Sequence, residues 1–102
     1  MRSLQEAIAE DLIDKEFYRQ RDLKRAGKFA WMCSDVKHNG RTITDAEKLA
    51  VLAEEFGEVS REVCDGLASG GADRAKLMRE LVQVATVTLG WIEAIRYHEV
   101  KP

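Results

Sequence analysis

The chain has 102 residues, 16 of them basic and 18 acidic, for a net charge of −2. That length allows one domain, residues 1–102, with a small core, and the near balance of charge excludes a nucleic acid polymer as the main partner. An apolar fraction of 45% beside 33% charged residues excludes a disordered chain, and no window approaches the roughly 18 apolar residues of a membrane helix.

The first segment, Ser3 to about Lys24, reads as a partly exposed helix. Ser3 with Glu6 fits a capping box, and Leu4, Ile8 and Leu12, with Phe17, make only a thin apolar stripe. Its opening, "MRSLQEAIAEDLIDKEF", alternates charge with apolar residues and lacks the continuous apolar core of a signal peptide. Cys33 and Cys64 form no CxxC pair and no zinc spacing with His38 or His98. Both read as reduced core thiols of a cytoplasmic protein. The next stretch, "RAGKFAWMCSDVKHNGRTI", holds Phe29, Trp31 and Met32 without a clean period and reads as a packed connection.

A second helix is expected from Thr44, whose hydroxyl suits an N-cap and which forms a capping box with Glu47. It runs to about Cys64 or Asp65 and stops near Gly66. Leu49, Leu52, Phe56, Val59 and Val63 fall on one stripe, with Glu55, Glu58 and Glu62 at its edge. The third helix is expected from Asp73 as N-cap to about His98, through "RAKLMRELVQVATVTLGWIEAI". The run Val82, Val84, Thr86, Val87, Thr88 is strand-like, but length and flanking helix formers outweigh it. Leu77, Val84, Val87 and Trp91 share a face with Glu80. Leu81, Val82, Leu89, Ile92 and Ile95 occupy other sides. A helix apolar most of the way round predicts burial in an oligomer, a homodimer or homotetramer. The fold class is therefore all-α: a helical hairpin plus an N-terminal helix, assembled as an oligomeric helix bundle.

Glu55 and Glu58 project side by side at i and i+3, and Glu80 and Gln83 repeat that spacing on the next helix. If the two helices pack antiparallel across the short "DGLASGGAD" loop, three carboxylates and an amide oxygen line one cleft. Oxygen-only ligands of high charge suit Mg²⁺ or Mn²⁺. Such a set predicts a phosphate-bearing substrate bridged by the metal, with a metal-activated water as nucleophile. Blander alternatives stand beside this one. Glu55 and Glu58 can be a solvated edge pairing with Lys48 or Arg61, and Glu80 can be a buried ion pair with Lys76 or Arg79. Gln83 can be an ordinary buried amide. Glu62 is open between an outer ligand, a base behind the metal and a surface residue. Trp31 and Phe29 can stack on a nucleobase or pack in the core, and Lys28 and Arg25 can neutralise phosphates or be solvated.

"EEFGE" at Glu54–Glu58 followed by "ELVQ" at Glu80–Gln83 resembles the MazG-like family of the all-α nucleoside triphosphate pyrophosphatase superfamily. The resemblance spans about Lys28 to Ile95 and is strongest in "KLAVLAEEFGEVSREV". It implies an oligomeric helical enzyme that uses Mg²⁺ to cleave nucleoside triphosphates to monophosphates and pyrophosphate, with nucleotide-pool housecleaning as a role. It implies Glu55, Glu58 and Glu80 as catalytic metal ligands. Gln83 stands at the fourth ligand position, where the family pattern has Asp; its oxygen can coordinate but brings no charge. Lys28, Trp31 and Glu62 are the candidate substrate-binding residues. A non-catalytic nucleotide-binding or helical interaction module on the same fold is the alternative.

Overall fold

The computed structural model describes residues 1–99, so the last three residues of the expected domain lie outside the described part. The fold is all-α, with a helical hairpin, an N-terminal helical arm and one minimal strand pair. The arm comprises α1 (Leu4–Ile8), a widened π turn (Ala9–Ile13) and α2 (Asp14–Arg25). Ser3 caps its start by accepting the Glu6 N–H at 3.1 Å. Its end is a glycine stop: Lys28 N–H bonds the Leu23 carbonyl at 2.8 Å, and Gly27 takes φ +80°. The stop turns Lys28 out of the helix axis.

The connection is more ordered than its lack of period implies. Strands β1 (Lys37–His38) and β2 (Arg41–Thr42) pair antiparallel around Asn39 and Gly40, both at positive φ. Asn-Gly is the preferred pair for such a two-residue turn. Asp35 fixes the segment before it, accepting from the Met32 N–H at 2.8 Å and from Lys24 Nζ at 2.9 Å.

Helix α3 (Asp45–Leu67) starts with the expected reciprocal capping box of Thr44 and Glu47 and runs past Gly66. Gly66 is buried, and a side chain there would collide with the backbone of Ala72. The chain thus turns back tightly into α4 (Arg74–Glu93), capped by Asp73, which accepts from the N–H groups of Ala75 and Lys76. The strand-like run stays helical: Thr86 and Thr88 donate their hydroxyls to the carbonyls of Val82 and Val84 at 2.7 and 2.8 Å. From Ala94 to Glu99 the chain continues as a π-helix. Gly90 is the second close approach. A Cβ there would stand 3.2 Å from Ser34 N, so glycine lets the connection lie against α4.

The core is small: Met32, Cys33, Ile43, Val87 and Ala94 are its buried apolar residues. The apolar stripe of α3 is left largely uncovered, with Leu49 56% and Phe56 63% exposed and Val63 also exposed. Leu81, Leu89 and Ile92 of α4 and Ile95 of the π-helix are exposed as well, whereas Val87 is already buried within one chain. Cys64, expected in the core, is exposed. No helix among the described residues is long and apolar enough to cross a membrane.

Candidate metal centre and substrate cavity

The antiparallel packing of α3 on α4 brings the two i, i+3 pairs together. Glu55, Glu58 and Glu80 are each half-buried, and each offers a carboxylate oxygen such that the three oxygens lie within 4.8 Å of one another. Turned so that its nitrogen faces the acids, the Gln83 amide donates to Glu55 Oε2 at 2.9 Å and to Glu80 Oε2 at 3.1 Å. Turning the amide over brings its oxygen to the same place. All four predicted ligand residues therefore meet at one point.

Their electrostatics are those of an uncompensated cluster. Burial, then the charges of Glu58, Glu80, Glu54 and Glu16, raise the Glu55 carboxyl to about 7. A hydrogen bond with Glu58, followed by burial, raises Glu80. Like charges at this separation favour a shared proton. Among the described residues, no Lys or Arg forms an ion pair with Glu55, Glu58 or Glu80. Lys48, a candidate partner for the acids, is instead 0% exposed with no partner for its Nζ. Its charge acts on Cys33, whose thiol burial pushes up to about 11. That thiol is a protonated wall residue, not a nucleophile.

Beside the cluster lies a cavity of about 570 Å³. Glu54, Glu55 and Glu58 of α3 and Gln83 of α4 line it, and so do Lys28, Phe29 and Trp31 of the connection. Two of the three predicted substrate residues, Lys28 and Trp31, are thus placed with the acids. The third, Glu62, is half-buried and does not line the cavity; its charge adds to the rise of Glu80.

Two wall residues escaped sequence reasoning: Arg19 and Gln20 of α2. For Gln20 a signal was present. Leu12, Glu16, Gln20 and Leu23 follow helical spacing and are all half-buried, which marks Gln20 but not the exposed Arg19. Polar residues interrupting an inward stripe mark a wet interior surface.

No protein-family model, curated protein or solved structure matches this chain.

The donor set fits a hard divalent cation. Three carboxylates and an amide oxygen are all hard ligands, and no soft or imidazole ligand belongs to the cluster. The same cavity offers aromatic faces at Phe29 and Trp31 and cations at Arg19 and Lys28. Its walls thus combine carboxylates, cations and aromatic faces.

Proposed function

We propose that this chain is a Mg²⁺- or Mn²⁺-dependent nucleoside triphosphate pyrophosphohydrolase of the MazG-like kind. One water would be consumed at the α–β phosphoanhydride bond, giving a monophosphate and pyrophosphate. The observation that carries this reading is the meeting of Glu55, Glu58 and Glu80 within 4.8 Å beside a cavity that also holds Lys28 and Trp31. In that arrangement the three carboxylates would hold the metal, with Gln83 supplying a neutral fourth oxygen. A bound divalent cation supplies charge neutralisation for phosphate and a lowered pKa for water. The carboxylates would orient that water, and Glu62, whose charge reaches Glu80, would assist as a base. Trp31 and Phe29 would stack on the base, and Lys28 would meet phosphate.

The hairpin's exposed apolar stripes support assembly as a homodimer or homotetramer. Leu49, Phe56 and Val63 on α3 and Leu81, Leu89 and Ile92 on α4 are the surfaces a second copy would cover. The role would be housecleaning of the cytoplasmic nucleotide pool.

The test is pyrophosphate release from a panel of nucleoside triphosphates with and without Mg²⁺. One observation favours a second reading. Gln83 can satisfy Glu55 and Glu80 through its NH₂ group, so a non-catalytic nucleotide-binding module would bind the same panel and release nothing.

A further inference from the structure

The cavity has acidic residues on α3, but α2 gives it a different chemistry. Arg19 and Gln20 line it, and both are held by Glu16. Arg19 donates through Nε to Glu16 Oε1 at 2.8 Å and through Nη2 to Oε2 at 2.7 Å. Gln20 adds a third bond, Nε2 to Oε2 at 2.9 Å. The Glu16 side chain is only 10% exposed, whereas that of Arg19 is 51% exposed.

This asymmetry separates the pair from an ordinary surface ion pair. Two exposed partners at i, i+3 gain almost nothing and need no burial. Here a carboxylate is taken out of water and given three donors. A buried carboxylate is tolerated only when so satisfied, and an apolar residue would stabilise the position more simply. What the arrangement gains is a guanidinium fixed in direction. Of its five N–H donors, Glu16 takes two, and three are left over on a residue that lines the cavity. A planar, fixed fork is the geometry that binds phosphate oxygens in pairs. Lys28, the first residue beyond the Gly27 stop, lines the same cavity and adds a point charge.

Building on the triphosphate reading of this cavity, we propose that Arg19 is the polyphosphate-binding residue, with Glu16 positioning it and Lys28 beside it. The substrate's phosphate tail would then run from the carboxylate-held metal towards α2. The N-terminal arm is thus a working wall of the site. Glu16 touches no substrate; it acts by holding Arg19.

The test uses the full chain and two probes, Mn²⁺ alone and inorganic tripolyphosphate, the latter titrated calorimetrically with and without Mn²⁺. Arg19→Gln should weaken tripolyphosphate roughly 10- to 100-fold, the loss of charge-assisted hydrogen bonds. Mn²⁺ alone should bind as tightly as before or more tightly, since a nearby positive charge is gone. Arg19→Lys should fall between the two, keeping charge but losing the fork. Glu16→Gln, which leaves Arg19 in place but unheld, should weaken tripolyphosphate several-fold; a purely structural ion pair would not produce this at unchanged helical content and melting temperature. Equal tripolyphosphate affinity in wild type and Arg19→Gln, or no tripolyphosphate binding to the wild type in either condition, would overturn the proposal. Failure of Mn²⁺ alone to bind the wild type would count instead against the carboxylate centre, and the metal-free tripolyphosphate titration would still decide Arg19.

Discussion

Replacing Glu55 by Gln should make the metal-free protein more stable at pH 8. The Glu55 carboxyl is raised from an ordinary 4.5 to about 7, chiefly by burial and then by its acidic neighbours. Between those values the unfolded chain has lost the proton and the folded chain keeps it. Stability therefore falls as pH rises from 4.5 to about 7 and is level above. At 1.36 kcal/mol per pH unit the full gap is worth about 3 kcal/mol. Water reaching this half-buried side chain screens it to about 1–2 kcal/mol. Glutamine keeps an acceptor for the Gln83 amide and removes the charge. Glu47 does not interfere: its hydrogen bond with Arg41 holds it down to about 2, so its contribution is complete by pH 4.5. The assay is thermal melting in EDTA at pH 4.5 and pH 8, at one protein concentration. Glu55→Gln should melt on the order of 5–10 °C higher than wild type at pH 8, and the two should converge at pH 4.5. A variant less stable at pH 8, or one with the wild-type pH slope, would refute the reasoning that this cluster is electrostatically strained.

Millimolar Mn²⁺ should raise the wild-type melting temperature at pH 8 by binding the folded state, and Glu80→Gln should abolish most of that rise; equal shifts in both would remove Glu80 from the site. Gln83→Glu replaces a donor to Glu55 and Glu80 with a fourth carboxylate, so it should cost about 1–3 kcal/mol in EDTA yet tighten Mn²⁺ binding; destabilisation with no gain in affinity would show that position 83 does not face the metal. If copies assemble through the exposed stripe of α3, wild type should scatter light as a dimer or tetramer and Phe56→Asp as a monomer; equal masses would remove that stripe from any interface.

The helix ends were legible because capping is local chemistry. Thr44 with Glu47, and Asp73, are read directly from the residues and form as read. The ligand cluster was legible too, since two i, i+3 pairs on consecutive helices meet wherever the hairpin closes. Periodicity found a stripe on α3 that the described residues do not cover. Leu49, Phe56 and Val63 form a real stripe, but α4 packs nearer the carboxylate side and leaves that stripe open. The Asn39-Gly40 turn carried a plain hairpin signal, obscured because strands of two residues show no alternation. Lys48 looked like a surface partner for the acids; its burial beside Cys33 depends on how the connection folds over α3, which no local pattern encodes. Arg19 was hidden for the same reason: its role in the cavity wall depends on where α2 docks.

Pyrophosphate release from a panel of dNTPs and NTPs, with Mg²⁺ and with EDTA, tests the central claim most directly, with Glu58→Gln as the matched control because it removes one carboxylate of the cluster. The account predicts Mg²⁺-dependent release of one pyrophosphate per monophosphate from at least one triphosphate, lost by orders of magnitude in Glu58→Gln. Release that persists in EDTA or in Glu58→Gln, or triphosphate binding with no release from any member of the panel, would contradict it.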